Sequence, residues 1–298
     1  MKSPRVTLEQ WYVLQSVIDN GGYAQAAEKL HKSQSSISYT ITRMQEQLGV
    51  DLLQIDGRRA KLTDAGSSLL TRARHLVNEA IELENLAHNI NKGWETEITV
   101  VADTACPSSF LMKSLKEFEP ISQGTRVQLR EVVLSGAEDA LLMKKADLAI
   151  TAHIPQGFLA DEILTMQFIA VAHKDHPLLQ NGKKLSTTDL VPHRQVVISD
   201  SGGLNPVDAG WLDAEQRWTV SNIDTAVEVV VHGLGYCWLP QHKIQKELDE
   251  GSLQILPLNE GQRYSANLHM IFGNKNTAGP ATQTLAEIFK QQATTFSD

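Results

Sequence analysis

Residues Tyr23 to Gly49 read YAQAAEKLHKSQSSISYTITRMQEQLG, and this stretch decides the fold of the first part of the chain. Its apolar residues recur at helical spacing, which predicts two short helices that meet at His31-Lys32. Ser33 stands where the second helix begins, and its hydroxyl can accept from the free backbone N–H groups there. The two predicted apolar faces are Ala26, Ala27 and Leu30 on the first helix, then Ile37, Ile41, Met44 and Leu48 on the second.

The segments on either side complete a winged helix-turn-helix. Thr7 and Gln10 have the spacing of a capping box, and the helix that they open is predicted to bury Leu8, Trp11, Leu14 and Ile18 before Asn20-Gly21-Gly22. After Gly49, residues 50–55 and 58–62 are predicted to be two short strands around the turn Asp56-Gly57. A generic helical bundle is the alternative, but a polar helix face and a basic wing together favour a DNA-binding domain.

The outer face of the second helix is rich in hydrogen-bonding groups, which suits contact with base edges in a major groove. We expect base contacts from this face, and phosphate contacts from Arg43 and from Arg58 in the wing. The alternative for any one of these side chains is simple solvation. The predicted DNA-binding residues are Ser33, Gln34, Ser35, Ser36, Ser38, Tyr39, Thr42, Arg43, Arg58 and Arg59.

A long helix follows Thr63, which is predicted to cap it. Large and small apolar residues alternate along it at heptad spacing, a pattern typical of a coiled coil, so two copies of the chain are expected to pair. Such a pair would present two recognition helices to one DNA duplex. The predicted dimerisation residues are Leu69, Ala73, Leu76, Ala80, Leu83, Ala87 and Ile90.

From Lys92-Gly93 onward the pattern changes to alternating strands and helices. The order strand–helix–strand–helix–strand over residues 97–151 predicts a parallel sheet with helices on its faces. Later strands are predicted at 167–172, 195–199, 218–220, 235–239 and 268–272, and a closing helix at 280–294. We predict two α/β lobes with a cleft where sheet ends and helix N-termini converge.

Composition describes an ordinary globular protein with an unequal distribution of charge. The 298 residues carry a net charge of −8, yet residues 1–75 hold ten Lys/Arg against seven Asp/Glu. A basic head on an acidic body can still bind phosphate, since binding responds to local charge. No apolar run reaches membrane-spanning length and the first ten residues lack an apolar signal region, so we expect a cytoplasmic protein with no membrane partner.

Several segments carry a resemblance to the LysR-type transcriptional regulators along essentially the full chain. In the head they are GYAQAAEKL from Gly22, SQSSIS from Ser33, LGV from Leu48 and RRAKLTDAG from Arg58. In the body they are ADLAI from Ala146, HKDHPL from His173 and GLGYCWLP from Gly233.

The resemblance implies a fold class of α plus α/β: a winged helix-turn-helix at 1–62, a linker helix at 63–92 and a periplasmic-binding-protein-like effector domain at 93–298. Lobe I would span about 93–166 and 267–298, and lobe II about 167–266. It further implies a homodimer or homotetramer on double-stranded operator DNA, a small-molecule effector that changes transcription, and contact with RNA polymerase when the protein activates.

Four positions depart from the family pattern. At Lys32 the family often has an apolar residue, and the extra cation here either approaches phosphate or is simply solvated, with solvation favoured. The family usually has Phe and then Arg in the first wing strand, where this chain has Leu53 and Ile55. One phosphate contact of the family is therefore expected to be missing, and Arg58 and Arg59 are the remaining phosphate-binding residues of the wing. Tyr39 replaces a commonly basic residue, and operator preference therefore does not transfer from relatives.

The effector is expected at the turn Asp103 to Ser109, which follows a strand and opens a helix whose free N–H groups favour an anion. A small carboxylate is the favoured class, and the carboxylates of Asp103 and Asp200 leave open an amino-bearing group. The alternative is that the hydroxyls only cap helices. The predicted effector-binding residues, partly by analogy with family members, are Asp103, Thr104, Cys106, Ser135, Ser199, Ser201 and Thr225.

Three other functions have weaker support in the sequence. Cys106, near a helix N-terminus, raises the hypothesis of redox sensing, but Cys237 lies in a separate predicted strand, and a plain pocket-lining residue is favoured. A solute-binding protein with an added helical head would show no salt-dependent, sequence-selective DNA binding. An enzyme is not favoured, because no dinucleotide loop or nucleophile–base motif stands out and His173 and His176 lack a third metal ligand; no cofactor or metal is predicted.

Overall fold

The computed structural model describes residues 3–56, 59–180, 182–208 and 210–296, without the side chains of residues 55, 56, 59 and 86. The chain divides into two compact units, the first ending at Asn91 and the second beginning at Lys92. Within the described residues, no helix is both long and apolar enough to cross a membrane.

The first unit has the predicted order of helices followed by a two-stranded wing. Strands β1 and β2 pair antiparallel, with Leu53 opposite Leu62 and Asp56 opposite Arg59. Its described elements are α1 (Leu8–Asp19), α2 (Tyr23–Lys29), α3 (Gln34–Leu48), β1 (Leu53–Asp56), β2 (Arg59–Leu62) and α4 (Asp64–Asn91).

Side-chain caps set the starts of α1, α3 and α4 as the sequence predicts. The Thr7 hydroxyl accepts from the Gln10 N–H while the Gln10 side chain accepts from the Thr7 N–H, which completes the capping box of α1. The Ser33 hydroxyl accepts from the Ser36 N–H at 3.2 Å and caps α3. The Thr63 hydroxyl accepts from the Gly66 N–H at 2.9 Å and caps α4.

The core of the first unit confirms most of the predicted apolar faces and corrects two residues. Leu14, Ile37, Ile41 and Met44 are almost fully buried, but Leu8 is 47% exposed. Leu8 was predicted as part of the α1 face; the buried stripe of that helix instead follows Val13, Leu14 and Val17, and at 100° per residue Leu8 lies on the opposite side. Leu48 is also exposed, since it is the last residue of α3 and only the edge of the core reaches it.

The second unit is built on one mixed sheet with helices packed against it. Its strands are β3 (Glu97–Asp103), β4 (Arg126–Val132), β5 (Leu148–Thr151), β6 (Ala160–His173), β7 (Gln195–Ile198), β8 (Arg217–Val220), β9 (Tyr236–Pro240), β10 (Leu253–Ile255) and β11 (Arg263–Phe272). Its helices are α5 (Ser108–Phe118), α6 (Gly136–Leu142), α7 (Thr187–Leu190), α8 (Ile223–Val231), α9 (Gln241–Asp249) and α10 (Pro280–Thr295).

The strands follow the order β4-β3-β5-β11-β6-β9-β7-β8, with β10 paired to β6. The pairs β3–β4, β3–β5, β7–β8 and β7–β9 are parallel, as the alternating pattern predicts. The pairs that join these two groups, β5–β11, β11–β6 and β6–β9, are antiparallel. We call the β3–β5 side lobe I and the β7–β9 side lobe II.

Strands β6 and β11 run through both lobes and are longer than predicted. They pair from Arg263 opposite Ile169 to Ile271 opposite Ala160, with an irregularity at Leu268/His269. The predicted lobe boundaries at 166/167 and 266/267 therefore fall inside continuous strands. The lengths predicted for these strands were too short because charged residues near a strand start, such as Asp161-Glu162, resemble a loop.

Each lobe has its own hydrophobic core. In lobe I, α5 and α10 pack on the sheet, and the Phe110 ring stacks on Phe289 with centroids 5.7 Å apart. In lobe II, α8 and α9 cover β7, β9 and the end of β6, with Val230 and Ile244 fully buried. Two separately packed lobes joined by two long strands leave room for a cavity between them.

Candidate functional site

The outward face of α3 carries the predicted DNA-binding groups. All eight predicted side chains from Ser33 to Arg43 are solvent-exposed, while Ile37, Ile41 and Met44 hold the opposite face in the core. Tyr39, the largest of the exposed group, is 65% exposed. Arg58 and the side chain of Arg59 lie outside the described residues.

Lys32 lies at the turn before α3. Its ammonium group pairs with Glu9 of α1, and hydrogen bonding with this lysine lowers the pKa of the Glu9 carboxyl. In the unbound head, Lys32 therefore forms an intramolecular ion pair with Glu9. The two roles expected from the sequence, a phosphate contact and simple solvation, did not include this pair.

The helix α4 exposes an apolar stripe over its second half. Leu76, Leu83 and Ile90 are 57%, 67% and 49% exposed, and Ala80 and Ala87 lie between them at heptad spacing. The first two predicted seam residues differ, since Leu69 packs against the core of the first unit and Ala73 is buried. The stripe that remains available to a partner begins at Leu76.

A cavity of about 460 Å³ lies between the two lobes. Lobe I contributes the loops after β3 and β4, lobe II contributes β7, β9 and the segment 210–212, and β6 and β11 cross beside it. Its described lining residues are Asp103, Thr104, Ala105, Val133, Leu134, Phe168, Thr187, Gln195, Val196, Val197, Ile198, Gly210, Trp211, Leu212, Ile223, Cys237, Trp238, Glu260, Gly261 and Tyr264.

Four aromatic rings contribute to the mostly apolar lining of this cavity. Trp211 and Trp238 lie with ring centroids 6.2 Å apart and planes at 51°. Phe168 of β6 and Tyr264 of β11 are register partners, and their rings stack at 4.8 Å and 3°. A second cavity shares Phe168, Tyr264 and Asp103 with the first, and His153 and His269 also line it. Sequence reasoning missed all four rings, because they come from four segments that only the fold brings together.

Asp103 is the buried carboxyl of the cavity wall. Its side chain accepts from the backbone N–H groups of Ala105 at 2.8 Å and Leu134 at 3.2 Å. Burial raises the pKa of Asp103 to about 6, although these two hydrogen bonds and nearby His153 oppose the shift. Leu134 adopts a positive φ of 50°, an uncommon conformation for leucine, to deliver its N–H group.

Replacing Asp103 with asparagine is expected to remove a pH-dependent loss of stability. Because the folded pKa is above the ordinary value of 3.8, the folded state holds the proton more tightly, and ionisation costs stability as the pH rises from about 4 to about 6. An asparagine stays neutral, so the free energy of unfolding of Asp103→Asn should gain about 3 kcal/mol relative to wild type between pH 4 and pH 7. Urea titrations at successive pH values measure the gap, with exposed Asp213→Asn as control; a pH-independent gap contradicts the assignment.

A hydrogen-bond network joins the lobes beside the cavity. The Asp200 carboxylate accepts from the Ser135 hydroxyl at 2.6 Å and from the backbone N–H groups of Ser135, Gly202 and Val207. The Ser201 hydroxyl accepts from the Val133 N–H at 2.8 Å. A methyl group on Gly202 would lie 2.0 Å from the Ser135 hydroxyl oxygen, so only glycine permits this approach.

The predicted effector residues therefore separate into different places. Asp103 and Thr104 line the cavity, whereas Ser135 and Ser201 hold the lobes together. Ser199 sits at the end of β7, where its N–H donates to Val220 O, and Thr225 is exposed in the first turn of α8, where Asn222 accepts its N–H. Cys106 is buried in the lobe I core.

The two cysteines occupy different cores. Cys106 packs in the lobe I core, whereas Cys237 packs in the lobe II core and lines the cavity. Burial raises the pKa of the Cys237 thiol to about 12, which leaves it a poor nucleophile at neutral pH. Nothing in this arrangement places the two sulfur atoms together as a redox pair.

A winged helix-turn-helix, a long helix with an exposed apolar stripe and a two-lobed body with an internal cavity define a transcriptional regulator that responds to a small molecule. Residues 8–67 match the family model described as "Bacterial regulatory helix-turn-helix protein, lysR family", and residues 91–294 match "LysR substrate binding domain". The chain belongs to the LysR family of transcriptional regulators, as its sequence motifs predict. Members of this family bind DNA and small-molecule effectors and form oligomers.

Proteins similar to this chain include bacterial transcriptional regulators. The probable HTH-type transcriptional regulator YhaJ of Escherichia coli K12 is 29% identical over 86% of this chain and 87% of its own length. The uncharacterized HTH-type transcriptional regulator YeeY of the same strain is 31% identical over 83% of this chain and 81% of its own. Among solved structures, full-length LysG from Corynebacterium glutamicum matches 98% of this chain and 99% of its own with a TM-score of 0.53 and 19% identity, which supports the fold.

Proposed function

We propose that this LysR-type regulator works as a homodimer or a dimer of dimers on operator DNA, with affinity set by a small molecule held between its lobes. The observation that carries the proposal is the exposed apolar stripe of α4 in the same unit as the exposed polar face of α3. Leu76, Leu83 and Ile90 are each about half or more exposed, and pairing with a second copy would remove this apolar surface from water.

The α3 face supports a division of roles on DNA. Base contacts fall to Gln34, Ser35, Ser38, Tyr39 and Thr42, because these uncharged groups are exposed on one side of the helix. Ser33 and Ser36 lie at its N-terminus, where free N–H groups favour phosphate. Arg43, with Arg58 and Arg59 of the wing, contributes phosphate contacts that position the head.

The interlobe cavity supports the effector site. Its volume of about 460 Å³ falls in the range of small-molecule pockets, and Asp103 and Thr104 line it as predicted. A ligand that prefers one arrangement of the lobes would shift the population toward that arrangement and change the spacing of the two DNA heads. Ser135 and Asp200, which bridge the lobes, would then take part in the conformational change rather than contact the ligand.

The proposal also includes a cellular location, a protein partner and a body domain that binds its ligand without catalysis. The protein acts in the cytoplasm, where its DNA lies, and it contacts RNA polymerase when it activates. Its body binds the effector without chemical turnover, which agrees with the regulatory names of its relatives.

Replacing Leu83 with glutamate is expected to dissociate the dimer. The change puts two carboxylates into the apolar seam and removes two leucines, a loss of about 2 kcal/mol or more on each side. Dimerisation and DNA binding should both weaken by roughly a hundredfold or more. Sedimentation equilibrium measures the first, and titration of a duplex selected from a random pool measures the second.

Ile81→Glu is the matched control, because Ile81 is a 45% exposed apolar residue of the same helix that lies off the stripe. It should leave the dimer intact. Equal dissociation by both variants, or by neither, would show that α4 does not pair through Leu76, Leu83 and Ile90.

A further inference from the structure

Two polar atoms in the cavity wall have no hydrogen-bond partner among the described residues: Thr104 Oγ1 and Gln195 Oε1. The Gln195 residue is only 4% exposed, and its Nε2 donates to the Trp211 carbonyl oxygen at 2.6 Å. That bond fixes the orientation of the amide and leaves Oε1 as an acceptor that water does not reach freely. A buried acceptor of this kind requires a donor, and a ligand N–H or O–H group would supply it.

The charge of the lining is one-sided. Asp103 and Glu260 line the cavity, and none of its described lining residues is lysine, arginine or histidine. At neutral pH Asp103 is mostly ionised, because burial raises its pKa only to about 6. A bound carboxylate would therefore face two carboxylates with no lysine or arginine in the lining to offset them, and His153, which acts on Asp103, belongs to the adjoining second cavity. This arrangement disfavours the small-carboxylate class predicted from the sequence.

The apolar part of the lining favours a flat ligand. Trp211 and Trp238 form one aromatic wall, and the stacked Phe168–Tyr264 pair forms another. Aromatic faces attract planar rings through offset stacking and attract ammonium groups through cation–π interaction.

We propose that the effector is a planar aromatic compound that carries amino or hydroxyl donors and no negative charge. Its ring packs against Trp211 and Trp238, and its donors reach Gln195 Oε1 and the Asp103 and Glu260 carboxylates. This inference rests on the proposed role of the cavity as the effector site.

Tryptamine and indole-3-acetate test the ligand class, because they share an indole ring and differ in the charge of the side chain. With the full-length protein in isothermal titration calorimetry, tryptamine is expected to bind at least about tenfold more tightly than indole-3-acetate. At ten times its dissociation constant it should raise the Tm by about 3 °C. The non-aromatic amine 2-cyclohexylethylamine should bind more weakly than tryptamine.

Two variants assign the binding to the cavity. Glu260→Gln should narrow the preference for tryptamine over indole-3-acetate, whereas Glu250→Gln, which changes an exposed carboxylate outside the lining, should not. Thr187→Trp places a bulky ring at an exposed lining position and should abolish tryptamine binding, with its ligand-free Tm as the check on folding.

The outcomes separate the ligand class from the site. No binding by tryptamine, or tighter binding by indole-3-acetate that Thr187→Trp abolishes, overturns the ligand class and leaves the cavity as the effector site. Binding of any probe that Thr187→Trp leaves unchanged shows that the probe lies elsewhere, and it overturns both the class and the proposed site.

Discussion

Replacing Gly66 with alanine is expected to unfold much of the DNA-binding head. Gly66 lies in the first turn of α4, and a methyl group on it would stand 2.0 Å from the Leu52 carbonyl oxygen and 2.8 Å from the Leu52 carbonyl carbon. Backbone atoms cannot move aside as a flexible side chain can. Helix propensity alone would favour alanine by about 1 kcal/mol, but the clash should outweigh it and leave a net loss of roughly 3–5 kcal/mol.

Hydrogen exchange of the full-length protein measures this effect, since protection of the α3 amides reports on the head. Ser67→Ala is the matched control, because it adds the same helix former at the next, exposed position. DNA affinity should fall in parallel with α3 protection in Gly66→Ala and remain near wild type in Ser67→Ala. Full protection of α3 in Gly66→Ala would refute the close approach of α4 to Leu52.

Replacing Asp200 with alanine is expected to release the two lobes from each other. The carboxylate accepts four hydrogen bonds, one from the Ser135 hydroxyl and three from backbone N–H groups of Ser135, Gly202 and Val207. Alanine leaves these donors without an acceptor, so the free energy of unfolding should fall by about 2–4 kcal/mol. Amides of residues 133–136 and 200–207 should also exchange faster than those of either lobe core.

Asp208→Ala tests whether the effect belongs to the network, since Asp208 is an exposed carboxylate of the same loop. Partial burial tends to raise the pKa of Asp200, but the hydrogen bonds from Ser135, Gly202 and Val207 outweigh it and lower the pKa below its usual 3.8. The contribution of Asp200 is therefore present above pH 4 and is lost as the pH falls through the lowered pKa. If Asp200→Ala and Asp208→Ala lose the same free energy of unfolding, the hydrogen bonds of Asp200 between the lobes do not contribute to stability.

The head could be predicted closely because its signals are local. The capping box at Thr7 and Gln10, the Ser33 cap and the Ile37, Ile41 and Met44 stripe each depend on residues within one or two helical turns. The prediction that Leu8 is buried was wrong because it also used only local spacing. The spacing of Leu8 from Trp11 fits a helical face, but the packing of α1 decides which side of the helix is buried. Along α4 the heptad pattern predicts the stripe, but the first unit itself covers Leu69 and Ala73.

The body was predictable in class but not in its long strands or its cavity. Alternation of strands and helices predicts parallel sheets, and β3–β4 and β7–β8 confirm this. Strands β6 and β11 pair across roughly a hundred residues, and nothing local to Asp161 shows that such a partner exists.

The sequence by itself determined the helices, their caps, the polar face of α3 and the family of the protein, because periodicity, capping and motifs are properties of neighbouring residues. Only the tertiary structure decided which hydroxyls face the cavity and which hold the lobes together. Thr104 and Ser135 both follow a strand of lobe I, yet Thr104 keeps an unpaired oxygen at the cavity while Ser135 bonds to Asp200 from 65 residues away. The difference arises from long-range contacts in three dimensions. It supports the proposal of an aromatic ligand with donor groups in place of the small carboxylate or amino-bearing metabolite predicted from the sequence.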